Sequence, residues 1–468
     1  MGIYMFKQGL LDFTRFLPSS VLASIERSYL QVTSKTTHKF LARKILRTID
    51  QKNIKFIDCM FTDILGAFKI VTIPKQHFKK ILLEGISFDG ASLPGASAFI
   101  ESDMLLKPDL SSFAFNSWVK KEVCSAHIIC DVYRISGQPY ENDPRSILKS
   151  VITQARHMGF EPLFGPEIEF FLFKKDSNHT AVPYDQKTDF DIDIDDAATN
   201  HKLTMLCLLA QAGIEVEKLH HETGPGQYEI SLRYNDPITI ADHILMTQHI
   251  IRIWAHKNNL TATFMPKPLL GESGNGMHIH FNLYDIKYNK NAFYDKNDQN
   301  KLSRVAQHFI AGILNRVCEM NLLLNPSVNS YQRLVPGYGA PTCLSWGMNN
   351  RSALIRIPQV NNNKFNSVRG ELRSSDGSAN PYLLLSAVLK AGLLGIQNSE
   401  TLAPAISQKS YDLTLEEIHA LGVPLLPASF EQALGEFKNS RFASDLLGDK
   451  LFQEFIRIKE KEITTQVI

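Results

Sequence analysis

The sequence has little of what marks secreted, membrane or nucleic-acid-binding proteins. No apolar run is long enough to span a bilayer. The formal net charge of +2 gives no signal for nucleic acid or a membrane surface. No Cys-x-x-Cys spacing occurs, so we expect reduced thiols and a cytoplasmic location. The cysteines are Cys59, Cys124, Cys130, Cys207, Cys318 and Cys343.

The remaining composition is that of an ordinary globular protein, with 44% hydrophobic and 21% charged residues. At 468 residues, the chain is expected to hold more than one domain. Residues 1–35 place Lys7, Asp12 and Arg15 among hydrophobic residues, which argues against a signal peptide. We expect this extension to serve packing or assembly.

Hydrophobic periodicity predicts an α+β protein. Helical spacing covers residues 37–52, and two strand-like runs over 54–73 are broken at Gly66, as in a hairpin. A further strand is predicted over 127–133, and Pro144 opens a helix. The turn-rich stretch before Pro144 separates an N-terminal domain, residues 36–140, from a larger domain, residues 141–468.

Glu167 and Glu169 lie in an apolar run that predicts a strand. Alternation places both carboxylates on one face and Ile168 on the other. Two adjacent carboxylates on a mostly buried face repel each other and lose hydration. A divalent cation would remove both penalties, although a Glu-x-Glu pair alone is more often part of a surface ion-pair network.

Further acids and imidazoles follow in Gly-punctuated apolar surroundings. Glu222 and Glu229 flank the turn 223–227. His278 and His280 share one face of a predicted strand, and Glu371 follows. Carboxylates with at most one imidazole for each metal suit Mg²⁺ or Mn²⁺. These segments favour a metal-bound phosphate site.

Many blocks of the sequence resemble type I glutamine synthetases. They occur in the family's order over roughly residues 50–400. The blocks are Phe61-Thr-Asp-Ile-Leu-Gly66, Phe88-Asp-Gly-Ala-Ser92, Gly165-Pro-Glu-Ile-Glu-Phe170, His220-His-Glu-Thr-Gly-Pro-Gly-Gln-Tyr-Glu229, Gly276-Met-His-Ile-His280, Asn325-Pro-Ser-Val-Asn-Ser-Tyr-Gln-Arg333, Asn350-Arg-Ser-Ala-Leu-Ile-Arg-Ile-Pro358 and Glu371-Leu-Arg373.

The resemblance implies a β-grasp-like N-terminal domain and a catalytic domain built on a curved antiparallel sheet. It also implies a ligase that phosphorylates the γ-carboxylate of glutamate with ATP, after which an amine or ammonia displaces phosphate. Two to three Mg²⁺ or Mn²⁺ ions would serve each site. The family assembles as two stacked hexameric rings, so we expect a homo-oligomer with shared sites.

The resemblance also assigns roles to individual residues. One metal would be held by Glu169, Glu222 and Glu229, and the other by Glu167, His278 and Glu371. Phosphate charge would be neutralised by Arg351, Arg356 and Arg373, which are planar forks suited to such oxygens. The stretch 350–358, which contains Arg351 and Arg356, is otherwise apolar and predicts a strand. Because no acid lies in that stretch, we expect a ligand phosphate to supply the counter-charge. Arg333 would bind the glutamate α-carboxylate, and Gly274 would let the backbone approach the substrate closely. Glu217 and His280 would contact the nucleotide. Asp89 and Ser92 would reach into the amine site of a neighbouring subunit.

Gly339 is the departure from the family that bears on the choice of amine. Glutamine synthetases carry at this loop position a glutamate that binds ammonium and takes its proton. Its replacement by glycine removes a negative charge and opens space. We therefore favour an organic amine as substrate; ordinary glutamine synthesis and a non-catalytic role are the alternatives. Tyr411, near a position modified in some relatives, is read as an ordinary surface residue.

Overall fold

Two β-sheets organise the protein, which is seen in a computed structural model. The described residues are 38–94, 103–119, 122–175, 182–192, 196–360, 365–408, 417–418 and 422–466. The predicted extension 1–35 and Tyr411 lie outside them, as does the side chain of Ser92. None of the helices in the described ranges has both the length and the apolar character needed to cross a membrane.

The N-terminal sheet has six strands in the order β2-β1-β6-β4-β3, with β5 paired to β6. The predicted hairpin is confirmed, because β1 and β2 are antiparallel around Gly66, whose φ of 82° suits glycine. The elements are helix α1 (38–51), β1 (Phe56–Thr62), β2 (Phe68–Pro74), α2 (Lys75–Glu84), β3 (Ile86–Asp89), β4 (Asp103–Pro108), β5 (Ala114–Phe115) and β6 (Ser125–Arg134).

The second sheet has ten strands in the order β14-β15-β16-β12-β7-β10-β9, with β8 and β11 on β7 and β13 on β12. All its pairs are antiparallel except β14 with β15. The strands are β7 (Phe160–Lys174), β8 (Val182–Pro183), β9 (Val216–His221), β10 (Gln227–Leu232), β11 (Leu260–Thr263), β12 (Met277–Asp285), β13 (Lys290–Asn291), β14 (Trp346–Met348), β15 (Ile355–Ile357) and β16 (Gly370–Leu372).

Helices cover one face of this sheet. Ile168 and Phe170 of β7 are fully buried in the core there, which leaves the opposite face of β7 for Glu167 and Glu169. The helices are α3 (Pro144–His157), α4 (Asp196–Gln211), α5 (Pro237–Lys257), α6 (Arg304–Leu314), α7 (Val317–Leu324), α8 (Ser330–Arg333), α9 (Pro381–Gln397), α10 (Phe430–Lys438), α11 (Arg441–Leu447) and α12 (Asp449–Gln466). The α+β architecture agrees with the sequence prediction.

A buried ion network connects the N-terminal sheet to these helices. Arg145 of α3 is 2% exposed and donates to Asp109, Asp131 and Asp242. Asp131 lies on β6 and Asp242 on α5. Removing one partner of a buried ion network leaves an uncompensated charge. Arg145 therefore holds the N-terminal sheet against helices α3 and α5.

His127 of β6 makes stability at this junction sensitive to pH. Burial, with His249 and His243 nearby, lowers the pKa of His127 to about 3. The unfolded chain takes up this proton below about pH 6.5, so stability is present above that pH and is lost as the pH falls. We expect a loss of about 2 kcal/mol between pH 6.5 and 5.

Denaturant titrations at pH 7 and pH 5 test this prediction. His127→Gln should flatten the change in unfolding free energy, whereas His157→Gln, at an exposed position, should not. Burial also lowers the pKa values of His243 and His249, so a residual pH dependence is expected. Equal pH dependence in wild type and His127→Gln would contradict the prediction.

Candidate active site

The register of β7 with its two neighbours brings the predicted acids together. Glu169 lies directly opposite Glu229 of β10, and Glu167 lies opposite His278 of β12. Carboxylates placed directly opposite each other destabilise a sheet unless a cation separates them. The strand pairing therefore presents an anionic row on the face of β7 away from the core.

The row continues across the next two strands. His280 of β12 lies opposite Glu371 of β16, and Glu371 lies opposite Arg356 of β15. Glu371 is fully buried and bonded to two guanidinium groups, with Nη1 of Arg356 at 2.9 Å and Nη1 of Arg373 at 2.5 Å. One end of the row is thus anionic and the other is rich in cations.

Glu167 is at the centre of the cluster. Its Oε1 is 3.3 Å from Nε2 of His280, and its Oε2 is 3.4 Å from Nδ1 of His278. Burial would raise the pKa of Glu167, but the bonds to the two imidazoles outweigh it and hold the pKa well below its usual range. Glu167 is therefore ionised.

The effects on the pKa of Glu229 balance in the opposite direction from those on Glu167. Its burial, together with the charges of Glu167 and Glu169, raises its pKa to about 7. The ammonium of Lys218 lies 3.2 Å from Glu167 Oε1 and 3.1 Å from Glu229 Oε1. A cation is thus favoured between these two carboxylates, and a divalent ion would compensate more charge than one ammonium does.

In the part of the chain that the structure describes, three groups of side chains have ligand atoms close enough to hold a metal ion. They are Glu167 with Glu229 and His278; Glu167 with His280 and Glu371; and His220 with Glu222 and Glu229. Glu169 is adjacent, with Oε1 3.7 Å from Nε2 of His278. Carboxylates with few imidazoles are a donor set that Mg²⁺ and Mn²⁺ accept. The residues present therefore fit a divalent metal site.

These groupings include five of the six sequence-predicted ligands, with Glu169 adjacent to them, and divide the ligands differently from the prediction. His280, predicted as a nucleotide contact, lies within the cluster. His220 and Lys218 were missed, although alternation backwards from Glu222 would have found both on one face of β9. A β-bulge leaves both Glu217 and Lys218 exposed on that strand.

Arg351 does not lie in a strand, and that part of the sequence prediction is wrong. It occupies an exposed turn that follows Asn349, whose φ is 56°. The argument that no acid accompanies the arginines was also incomplete, because Glu371 reaches Arg356 from a neighbouring strand. The Nε of Arg356 is nevertheless buried without a hydrogen-bond partner among the described residues. This donor remains available to an anion.

Arg333 is 2% exposed, and its guanidinium donates to the carbonyl oxygens of Ser374 and Arg373 at 2.7 and 3.2 Å. A Cβ at Gly274 would lie 2.9 Å from the Arg333 side chain and 2.5 Å from the Pro266 carbonyl oxygen. Gly274 therefore packs closely against Arg333 and Pro266, and its approach to the substrate stays a prediction.

The loop after Arg333 carries Gly339 at its exposed tip. Gly339 has a φ of 79°, and apart from its two chain neighbours no heavy atom of the described residues lies within 4 Å of the position that a Cβ would occupy. The preceding Tyr338 is 40% exposed and packs beneath the Lys267 ammonium, 3.7 Å from the ring centroid. The loop thus has room for a larger group beside residue 339.

Asp89 lies apart from the cluster in the fold. It ends β3 in the N-terminal sheet, where its side chain accepts from the Ala91 amide at 2.9 Å. The metal-binding groups all lie on or beside the ten-stranded sheet. The contribution of Asp89 to a neighbouring subunit's site stays a prediction.

Comparisons with known proteins agree with this geometry. The glutamine synthetase β-grasp domain matches residues 53–135, and the glutamine synthetase catalytic domain matches residues 141–467. Glutamine synthetase from Clostridium saccharobutylicum is 39% identical over 91% of this chain and 95% of its own length. Glutamine synthetase from Staphylococcus aureus is 38% identical over 90% and 94%.

Solved structures with the same fold include a GmaS/ADP complex. It superposes with a TM-score of 0.81 at 27% identity, covering 90% of this chain and 96% of that one. Apo GmaS without ligand superposes with a TM-score of 0.79, again at 27% identity and with the same coverage. The similarity therefore extends across both sheets.

Proposed function

The chain belongs to the glutamine synthetase family, whose members are ATP-dependent ligases, and we propose that it joins an organic amine to the γ-carboxylate of glutamate. The reaction would pass through a γ-glutamyl phosphate. Gly339 carries this proposal, because an open glycine stands where the family has an ammonium-binding glutamate. The open space accommodates a larger amine, whereas ammonium loses a counter-charge.

The family uses ATP and a divalent metal, and we propose two to three Mg²⁺ or Mn²⁺ ions at the three side-chain groups described above. The ligands would be Glu167, Glu169, Glu222, Glu229, His278 and Glu371. The ions, when bound, supply charge neutralisation to the transferred phosphoryl group. Phosphoryl transfer depends mostly on such positioning and neutralisation.

The chain's own residues would complete the phosphoryl step. Arg356 and Arg373, already converging on Glu371, would turn guanidinium donors toward the γ-phosphate and acyl phosphate, with Arg351 closing from its exposed turn. Arg333 would orient the glutamate α-carboxylate beside the Gly274 backbone. Glu217 and His280 would face the nucleotide; ADP bound to the GmaS relative supports a nucleotide site on this fold.

The amine step would use the N-terminal sheet of a neighbouring subunit. Asp89, with Ser92, would hold the incoming ammonium and receive its proton, and residues 36–140 and 141–468 would act as separate domains. This arrangement requires an oligomer, which we propose is a dodecamer of two hexameric rings. Sedimentation velocity tests it, since a fully active monomer would contradict shared sites.

Ammonia is the second candidate nucleophile. Its support is the 39% identity to a glutamine synthetase over nearly the whole chain. If Asp89 or a water that it orients suffices as the base, Gly339 would be a tolerated loop change and the protein would make glutamine.

Phosphate release with glutamate, ATP and a panel of amines tests the proposed function. The panel should include ammonium, methylamine, ethanolamine and a polyamine, with product masses determined. We expect glutamate-dependent release that is fastest with an organic amine and a γ-glutamyl amide as product. Release with ammonium alone would favour the second candidate, and no release with any amine would overturn the ligase assignment.

A further inference from the structure

His220 has a ring nitrogen that nothing else in the described site satisfies. The imidazole lies opposite Glu229 in the β9–β10 pair, and its Nε2 is 3.1 Å from Glu222 Oε1. Its Nδ1 is buried and has no hydrogen-bond partner among the described residues. Burying a polar atom without a partner is unfavourable. A water or a metal ion bound at Nδ1 would remove this cost.

The position of Nδ1 suits a metal ion. It lies 3.9 Å from Glu229 Oε1, within the separation of about 4.2 Å that two ligand atoms on one ion can reach at metal–ligand distances of about 2.1 Å. Metal-binding histidines commonly direct the other ring nitrogen to a carboxylate. Glu222 occupies that position relative to Nε2.

The orientation of the ring is fixed independently. Phe190 stacks on the imidazole with centroids 4.8 Å apart and planes 10° from parallel. The backbone amide of Phe190 donates to the His221 carbonyl at 3.1 Å, which holds the stacking residue beside the strand. Nδ1 is thus held toward Glu229 before any ion arrives, and such preorganisation favours coordination.

We propose that His220 supplies a nitrogen ligand to the metal held at Glu229, while Glu222 orients the imidazole. This adds a residue to the expected set of Glu169, Glu222 and Glu229. It rests on the proposed metal site but is independent of the choice of amine. An imidazole ligand shifts the preference of this position toward Mn²⁺ over Mg²⁺.

Pulsed electron paramagnetic resonance of Mn²⁺ bound to the full-length protein tests the assignment without glutamate, ATP or amine. We expect His220→Asn to lose one directly bonded nitrogen from the wild-type spectrum. In Mn²⁺ titrations, the same change should weaken one site by about 10–100-fold, as loss of an ordered ligand shell does. Mg²⁺ affinity should fall less.

Two further variants keep the test decisive. His220→Gln provides a second replacement if His220→Asn folds poorly, as judged by its unfolding midpoint. Phe190→Leu loses the stacked ring but keeps the imidazole, so its spectrum should retain the coupling between Mn²⁺ and the directly bonded nitrogen. Unchanged coupling and affinity in both His220 variants would overturn the proposal, leaving His220 as a charged partner of Glu222. Failure of the amine assay would not alter these spectra.

Discussion

Glu229→Gln and Glu371→Gln are each expected to lower kcat by about 10³-fold or more, since both remove charge from the phosphoryl-transfer site. The two substitutions should change the free energy of unfolding of the metal-free protein in opposite directions. Glu229 has a folded-state pKa of about 7, raised from 4.5 by burial and by Glu167 and Glu169. Its stabilising contribution is therefore lost as the pH rises through 7, and Glu229→Gln should stabilise the metal-free fold by up to about 3 kcal/mol at pH 7.5.

Glu371 is the matched control. Burial opposes its ionisation, but His280, Arg373 and His278 hold its pKa below the usual range. Glu371→Gln leaves Arg356 and Arg373 without their buried counter-charge, which should cost about 3–5 kcal/mol. Chelator-treated proteins and urea titrations measure both effects. Full turnover by Glu229→Gln would refute the metal assignment of Glu229. Destabilisation of the metal-free fold by both changes would refute the charge repulsion inferred from the raised pKa of Glu229.

Gly339→Glu is expected to shift the ratio of kcat/KM values toward ammonia over an organic amine. The carboxylate restores a base and a counter-charge while filling the open space at the loop tip. A positioned general base contributes a factor of about 10²–10⁴. The φ of 79° at this position costs a non-glycine residue about 1–2 kcal/mol, so part of the gain is offset unless the loop relaxes.

Gly339→Ala separates these effects. It carries the same backbone strain without a carboxylate, so it should lower activity with both nucleophiles and leave their ratio unchanged. Asp89→Asn in the Gly339→Glu background should reduce turnover with either nucleophile, because it removes the other anion near the attacking nitrogen. An unchanged ratio in a well-folded Gly339→Glu would show that residue 339 does not select the amine.

Local patterns predicted the fold elements and the central acids. Strand alternation alone places Glu167 and Glu169 on one face of β7 and Ile168 on the other, and Gly66 alone indicates the first hairpin. Both predictions succeed because they depend only on residues adjacent in the sequence. Five of the six predicted ligands are on four strands of one sheet, and Glu222 directly follows β9 of the same sheet.

What the sequence could not provide is the register between distant strands. The pairing of Glu371 with Arg356, and of Glu229 with His220, depends on hydrogen-bonded partners set by the whole sheet. Alternation could have placed His220 and Lys218 on the face of Glu222, but their approach to Glu229 depends on this register. Arg351 was misplaced because its turn follows an asparagine with positive φ, which an apolar run of sequence conceals.

A competition between ammonium and an organic amine tests the central claim most directly. Wild-type protein would receive glutamate, ATP and Mg²⁺ with equimolar ¹⁵N-ammonium and one amine chosen from the panel, and product masses would give the ratio of the two kcat/KM values. We predict that the γ-glutamyl amide of the organic amine predominates over labelled glutamine. Glutamine as the main product against every amine in the panel would contradict the account and make the protein a glutamate–ammonia ligase.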